Sequence, residues 1–354
     1  MINATQRDAS GPCRYGMIGA GRIAQKFADT FRSGLVSNSV LSAVASTDEK
    51  RAAEFAASHG IARSYGSYAA LLGDPGIDLV YVAVTNNAHF QCCMDAIAAG
   101  KHVLCEKPLA LTGQEAAELI YAAKAKGVFL MEAMWSRFLP ATRKAAQWAA
   151  DGHIGNLRCI SASFCAARDP GDYQRLYDPG MGGGAFYDLG VYAFSLVQYL
   201  AKGRKLIQAF PLSVPAGTGV DASTFVHLQY DDGLVGEIKC SIQFHACNEA
   251  WIYGDRGYIR IAPYFHCAQK VELFTGPLPG PRDYKAEPAE TFLHPVQSGF
   301  EFEIEHAAAC VLEGKPESPV MPLSDTLETA RLFDLVQGRQ FFSYSDATDS
   351  SDVR

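Results

Sequence analysis

The chain lacks the patterns that make cysteine and histidine into metal ligands or covalent staples. Its ten cysteines stand scattered at Cys13, Cys92, Cys93, Cys105, Cys159, Cys165, Cys240, Cys247, Cys267 and Cys310, with no C-x-x-C pair and no zinc spacing. They read as small core residues of a reducing compartment, so a cytoplasmic location is expected. Nine histidines are equally dispersed, without an H-x-x-x-H pair, and no metal is expected. No apolar run approaches the ~20 residues that cross a bilayer, which argues against a membrane partner. Residues 1–13 are polar and lack the apolar core of a signal peptide, so none is expected. No basic cluster stands out, and 31 Lys and Arg against 38 Asp and Glu leave a formal charge of −7. That balance argues against nucleic acid as a partner. No internal repeat is visible.

What is present is length and alternation. The 354 residues suffice for two domains with well-buried cores. From 15 to 133, short apolar runs at 15–18, 40–45, 79–83, 102–105 and 129–131 alternate with helical stretches at 22–33, 48–59, 90–99 and 112–126. Asp48 and Thr112 suit helix N-caps, and Gly100 and Gly127 suit helix stops. The pattern predicts a Rossmann-type α/β domain with a doubly wound parallel sheet of five strands. After Trp135 the texture changes. A helix from 140 to about 150 leads into strands at 158–166, 224–230, 234–242, 250–253, 258–261 and 270–274. Asp231-Asp232-Gly233 and Asp255-Arg256-Gly257 read as hairpin turns between them. Helices are expected at 185–201, 300–313 and 324–341. This is an α+β domain with a large, mostly antiparallel sheet. The expected division is a tail at 1–13, a dinucleotide-binding domain at 14–134, a substrate-binding and dimerisation domain at 135–342, and a disordered tail at 343–354.

Two motifs carry chemistry. Gly19-Ala20-Gly21-Arg22-Ile23-Ala24 follows the first strand as G-x-G-x-x-A. Gly19 allows the tight turn, Gly21 lets backbone approach a pyrophosphate, and Ala24 lets the next helix pack closely. That helix starts at Arg22 and Ile23 and turns unpaired N–H groups towards the phosphates. Residues 105–108 read Cys-Glu-Lys-Pro after an apolar run. Pro108 biases Lys107 away from the α region, so its ammonium leaves a strand end at the ligand-binding edge of a parallel sheet. The plainer alternative is a solvated lysine beside Glu106.

Lesser signals fit a dinucleotide. Thr85, Asn86 and His89 follow the 79–83 strand at the same edge. The 40–45 strand ends at Ser46 and Thr47, where an NAD-type ribose clamp would want an acid; Lys50 and Arg51 follow. Hydroxyls and cations suit a 2′-phosphate, which favours NADP over NAD.

Together the motifs resemble the Gfo/Idh/MocA family, whose members include glucose–fructose oxidoreductases and inositol dehydrogenases. The likeness runs from Tyr15 to about Phe342. Its residues include 130–140 (Leu-Met-Glu-Ala-Met-Trp-Ser-Arg-Phe-Leu-Pro), 182–192 (Gly-Gly-Gly-Ala-Phe-Tyr-Asp-Leu-Gly-Val-Tyr) and 317–323 (Glu-Ser-Pro-Val-Met-Pro-Leu). Within the family the dimeric dihydrodiol dehydrogenases look most similar. The resemblance implies an NAD(P)-dependent oxidoreductase acting on a CH–OH group of a cyclic polyol, sugar or dihydrodiol, and a homodimer. It implies that Lys107 and Tyr192 transfer the proton, with Asp188 four positions before the tyrosine, and that His89 lies near the cofactor. On spacing alone, Asp188 would cap the glycine turn and Tyr192 would be core. The resemblance also implies a substrate pocket walled by Trp135, Phe164 and Phe265, with Arg137 and Arg175 as candidates to hold substrate hydroxyls. Where NADP-using dihydrodiol dehydrogenases carry an arginine, this chain has Thr47. A nucleotide-sensing regulator without catalysis is the alternative of a different class; such proteins tend to lack the lysine or the tyrosine.

Overall fold

A computed structural model describes residues 11–276 and 287–338. The contacts divide the chain into two units. One takes the chain up to Trp135 together with Gln297–Leu327. The other takes Ser136–Val296 and the chain from Glu328 onward.

The first unit follows the alternation of the sequence. Its elements are β1 (Cys13–Ile18), α1 (Arg22–Arg32), β2 (Ser39–Ala45), α2 (Glu49–His59), β3 (Arg63–Tyr65), α3 (Tyr68–Leu72), β4 (Leu79–Val82), α4 (His89–Ala98), β5 (His102–Glu106), α5 (Gly113–Lys126) and β6 (Leu130–Ala133). The strands order as β3-β2-β1-β4-β5-β6, all parallel. Strands buried on both faces read as unbroken apolar runs, as β4 does with Leu79, Val80, Tyr81 and Val82. The order reverses between β1 and β4, and in such sheets ligands bind at the carboxyl ends beside the reversal. Caps fall where side-chain chemistry puts them. Asp48 accepts from the Arg51 N–H and Thr112 from the Glu115 N–H, while Gly60 and Gly127 close α2 and α5 in the left-handed region. The sheet has six strands, not five. The extra strand, β3, is three residues of half-polar edge, too short and polar for an apolar run to mark it.

The second unit contains α6 (Pro140–Ala150), β7 (Leu157–Cys165), α7 (Val191–Leu200), β8 (Leu206–Pro215), β9 (Asp221–Tyr230), β10 (Val235–Ser241), β11 (Ala250–Gly254), β12 (Gly257–Ile261), β13 (Lys270–Thr275) and β14 (Glu290–Leu293). Eight strands form one sheet in the order β14-β13-β12-β11-β7-β10-β9-β8. Only β7 and β10 run parallel; every other neighbour is antiparallel. Helices α6 and α7 pack on the sheet. Val226, Leu228 and Tyr230 of β9 are buried, and His227 and Gln229 between them are exposed. Edge strand β8 leaves Phe210, Leu212 and Val214 exposed. The sequence reading missed both edges, β8 and β14. β8 carries Pro211 and Pro215, which an edge strand tolerates and a central strand does not.

Two helices close the described chain, α8 (Glu301–Leu312) and α9 (Leu323–Val336). A continuous second domain over 135–342 was expected. Instead α8 returns to the first unit, where it contacts β1 and β2. The Tyr15 hydroxyl donates to the Ile304 carbonyl at 2.9 Å, and Asn38 donates to the Glu305 carbonyl at 2.8 Å. The sequence could not mark this return, because an amphipathic helix does not name the sheet it covers. The expected tail at 343–354 and most of that at 1–13 lie outside the described residues. All ten cysteines are free thiols. Among the described residues no helix is long and apolar enough to cross a membrane.

Candidate functional site

In the first unit the chain leaves β1 through Gly19-Ala20-Gly21. Gly19 has φ +104°, and a Cβ there would stand 2.3 Å from the Ala83 carbonyl oxygen. Its N–H donates to the Ala45 carbonyl at 2.9 Å, which ties the turn to the end of β2. Gly21 differs. It has an ordinary extended backbone, and a Cβ built on it meets nothing within 4 Å. No side chain caps α1, which starts at Arg22. An uncapped helix end beside open backbone is a site where phosphate oxygens can take N–H donors. The residues therefore fit a dinucleotide. Arg51 lies across this loop, its guanidinium donating to the Ala20 carbonyl at 2.9 Å. Ser46 is buried and its hydroxyl accepts from the Asp48 N–H at 3.3 Å, whereas Thr47 is exposed.

The end of β5 is built more heavily than its motif suggests. Glu106 is buried. The Tyr81 hydroxyl donates to its Oε1 at 2.5 Å, and the Lys107 N–H donates to Oε2 at 3.2 Å. Tyr81 is fixed in turn by stacking on Phe27 at 3.6 Å between centroids. Burial, and Glu106 beside it, hold the Tyr81 phenol protonated far above its ordinary range. Glu132 accepts from the Leu109 N–H at 3.1 Å and from the Thr326 hydroxyl at 3.0 Å, securing the chain just beyond Pro108. The half-buried Lys107 thus leaves a strand end whose flanks are hydrogen-bonded to buried carboxylates. Asn86 is buried and Thr85 half-buried beside the end of β4.

In the second unit, Tyr192 sits in the first turn of α7 among aromatic rings. Its centroid is 5.9 Å from that of Phe164 and 5.2 Å from that of His266. His266 stacks on Phe164 at 4.1 Å. Asp188 pairs with Arg175 at 3.2 Å. Between Phe186 and Gly190 the helix widens into a π-type turn, a feature often found at functional sites. Gly190 is required there: a Cβ would stand 2.3 Å from the Phe186 ring and 2.9 Å from the Cys240 sulfur.

The sequence pattern of the oxidoreductase family with an NAD-binding Rossmann fold matches residues 13–134, and that of the GFO/IDH/MocA C-terminal domain matches residues 142–260. The chain belongs to the Gfo/Idh/MocA oxidoreductase family. A trans-1,2-dihydrobenzene-1,2-diol dehydrogenase from Macaca fuscata fuscata is 32% identical over 332 residues, covering 92% of this chain and 95% of the relative. The Mus musculus protein of that name is 34% identical over 318 residues, covering 88% and 92%. Among solved structures, a 3-ketoreductase from Actinomadura kijaniata in complex with NADP and TDP-benzene is 27% identical with a TM-score of 0.79, covering 93% of this chain and 98% of that one. An aldose–aldose oxidoreductase from Caulobacter crescentus is 25% identical with a TM-score of 0.79, covering 92% and 96%. The protein is an NAD(P)-dependent oxidoreductase of the dehydrogenase type.

In this family member, several site residues expected from the sequence are engaged by protein neighbours. Arg137 is 1% exposed. Its guanidinium donates to Ser195 at 2.7 Å and Gln198 at 3.2 Å and lies over the Tyr199 ring, so it braces α7 and is not free to hold substrate hydroxyls. Phe265 is 2% exposed and belongs to the core; its neighbour His266 is the ring that meets Phe164 and Tyr192. His89 is 1% exposed, with Nδ1 2.7 Å from the Pro108 carbonyl and Nε2 3.3 Å from the Val84 carbonyl. It ties the 84–89 loop to the chain beyond Lys107. Trp135 stacks on Phe300 at 4.9 Å.

Sequence reasoning also missed residues. The turn bearing His266 is set by Asn248, whose side chain accepts from the Cys165 N–H and donates to the Cys165 carbonyl, and whose own carbonyl accepts from the Phe265 N–H. Asn248 and Tyr264 are the two non-glycine residues with positive φ among those described, at 56° and 58°. Such backbone persists where surroundings enforce it, commonly near functional sites. The signal in the sequence was a lone asparagine, too common to read.

Proposed function

We propose that the protein moves a hydride between nicotinamide and the CH–OH carbon of a cyclic polyol, a sugar or a trans-dihydrodiol, with NADP favoured over NAD. One observation carries the reading: Lys107 leaves β5 beside the hydrogen-bonded Glu106 carboxylate, on the same sheet whose Gly21 keeps room for a pyrophosphate. The nicotinamide supplies the hydride chemistry when bound. Gly19, Gly21 and the N–H groups at Arg22 and Ile23 hold the pyrophosphate. Ser46, Thr47 and Arg51 take the adenosine end, where the Arg51 cation suits a 2′-phosphate. Thr85, Asn86, Glu106 and Lys107 would hold the nicotinamide end, and His89 keeps their loops in shape.

Tyr192 exchanges the proton with the substrate hydroxyl, a task that needs a positioned acid and base. Lys107 supplies positive charge that favours an alkoxide. Asp188, with Arg175, orients the segment that carries Tyr192. Phe164 and His266, the rings beside Tyr192, suit a ring substrate. Relatives with over 30% identity are named as dehydrogenases of a cyclic diol, which supports the same class.

The test is a panel of inositols, sugars and trans-dihydrodiols, each with NADP and with NAD, read by the absorbance of reduced nicotinamide. Turnover of at least one class is expected. Tight cofactor binding without turnover of any would favour the nucleotide-sensing regulator, against which Lys107 and Tyr192 both speak. The free thiols suit a reducing cytoplasm. The exposed apolar residues Phe210, Leu212 and Val214 suit a homodimer formed through the sheet. Sedimentation as a monomer at micromolar concentration would remove that assembly.

A further inference from the structure

The segment that bears Asp188 and Tyr192 begins without any cap of its own. Helix starts leave N–H groups unpaired, and the usual remedy is a Ser, Thr, Asp or Asn just before the first turn. Here the preceding residues are Gly182, Gly183 and Gly184, which have no side chains. The acceptor comes from far along the chain. Asp221, the first residue of β9, is 5% exposed, and its Oδ2 accepts from the Phe186 N–H at 2.8 Å. The same oxygen accepts from the Thr224 hydroxyl at 2.8 Å, and Oδ1 accepts from the Gln337 amide at 3.3 Å.

The glycines are explained by this carboxylate and by the turn before it. Gly184 has φ +129°, and a Cβ there would lie 2.2 Å from Asp221 Oδ1. A Cβ on Gly183 would meet the carbonyl oxygens of Leu176, Arg175 and Asp178 at 2.6–2.8 Å. Glycines therefore let backbone close around a buried acid and around the loop that supplies Arg175. Tyr192 follows Phe186 by six positions, less than two helical turns. A shift at the capped end can therefore reach the tyrosine through a single short stretch of helix. At the other end of the wide turn, Gly190 is seated against Cys240 of β10. The sheet thus grips the segment at two points.

We infer that Asp221 is the positioning residue of the proton-transferring segment: its carboxylate, seated in the glycine turn and bonded to the Phe186 N–H, sets where Asp188 and Tyr192 stand. This rests on the role given to Tyr192 above. The carboxylate does not touch substrate. It acts through the helix start, where a negative charge is also favoured by the helix dipole.

The test uses the full chain with fluorotyrosine incorporated, and the Tyr192 fluorine resonance is assigned by its loss in Tyr192→Phe. Asp221→Ala should displace or broaden that resonance and lower kcat by ~10-fold or more, the scale of a reacting group held out of place. The KM for cofactor should not change. Asp221→Asn keeps an oxygen for Phe186 and Thr224 and should restore both readouts. Combined with Tyr192→Phe, Asp221→Ala should cost nothing further in kcat, since the group it positions is already lost. Should Asp221→Ala not fold, Asp221→Ser, which leaves room for water at the stranded donors, carries the same series. An unmoved resonance, or losses in the double variant that simply multiply, overturns the inference while leaving Tyr192 its role. Normal turnover in Tyr192→Phe alone overturns that role, and with it the purpose assigned to Asp221.

Discussion

Gly19 and Gly21 stand two residues apart in one motif, yet the structure gives them different work, and replacing each by alanine separates the two. At Gly19 a methyl group would stand 2.3 Å from the Ala83 carbonyl oxygen and 2.8 Å from its carbon, where 3.0 Å is the practical floor for a Cβ. The neighbour is backbone and cannot swing away. An L-residue at φ +104° adds ~1–3 kcal/mol of strain. Relieving the clash strains two hydrogen bonds, Gly19 N–H to Ala45 and Ala83 N–H to Ile18, each worth ~0.5–1.5 kcal/mol net. Gly19→Ala should therefore cost ~2–6 kcal/mol, a large part of a domain's ~5–15 kcal/mol.

Gly21→Ala meets no atom within 4 Å, and its φ of −91° suits alanine. Folding stability should be unchanged or rise by up to ~1 kcal/mol through a less free unfolded chain. The new methyl instead occupies the space a pyrophosphate needs, so the reduced cofactor should bind at least ~10-fold more weakly, about 1.4 kcal/mol. Urea melts give the stability and quenching of protein fluorescence by reduced cofactor gives the affinity. If Gly21→Ala binds cofactor like the wild type, the loop is a turn and not a cradle. A Gly19→Ala protein that melts with the wild type would show that the Ala83 contact is not fixed.

Lys107→Met should lower turnover by ~10²–10⁴-fold while melting and cofactor affinity hold, and activity within about threefold of wild type removes the lysine from the chemistry. Arg51→Ala should weaken NADP by roughly 10-fold and leave NAD unaffected, measured by direct titration; equal losses would place Arg51 in the loop's structure alone. Glu303 is 0% exposed with neither carboxylate oxygen hydrogen-bonded, and burial, with Glu106 nearby, pushes its carboxyl well above the usual 4.5. The folded state then holds a proton that the unfolded chain loses above 4.5, so this group lowers stability as pH rises. The melting temperature of Glu303→Gln relative to wild type should climb from acid to alkaline pH, and a constant difference would mean Glu303 is not buried in its neutral form.

The sheet of the first unit was legible because its central strands are largely apolar and its longer helices carry marks at their ends. The 79–82 run has no counterpart in a solvated segment: Leu79, Val80, Tyr81 and Val82 can only be core. Where that logic lacks purchase the reading failed. β3 is an edge of three residues, β14 is an edge with one half-buried residue, and β8 breaks its pattern with two prolines. Such strands are specified by the neighbour they join, and a neighbour distant in sequence leaves no local trace.

The candidate site divides the same way. Gly19 is legible because its backbone geometry demands glycine, and Gly21 and Lys107 are marked by the short motifs they stand in. The groups that hold them are not marked. Glu106 draws on Tyr81, 25 positions away; Glu132 draws on Thr326, 194 positions away; the glycine turn before Tyr192 draws on Asp221. Each is a single polar residue in an apolar setting, and the sequence alone does not tell a buried, partnered acid from a solvated one. Arg137 shows the converse error. An arginine near a tryptophan reads as surface or ligand contact, but its guanidinium is taken up by Ser195 and Gln198 of α7. A buried cation survives only where such acceptors converge, because leaving it unpaired costs several kcal/mol. The candidate site residues of this chain are thus marked by short motifs, while the groups that hold them in place are long-range polar pairs that only the folded chain brings together.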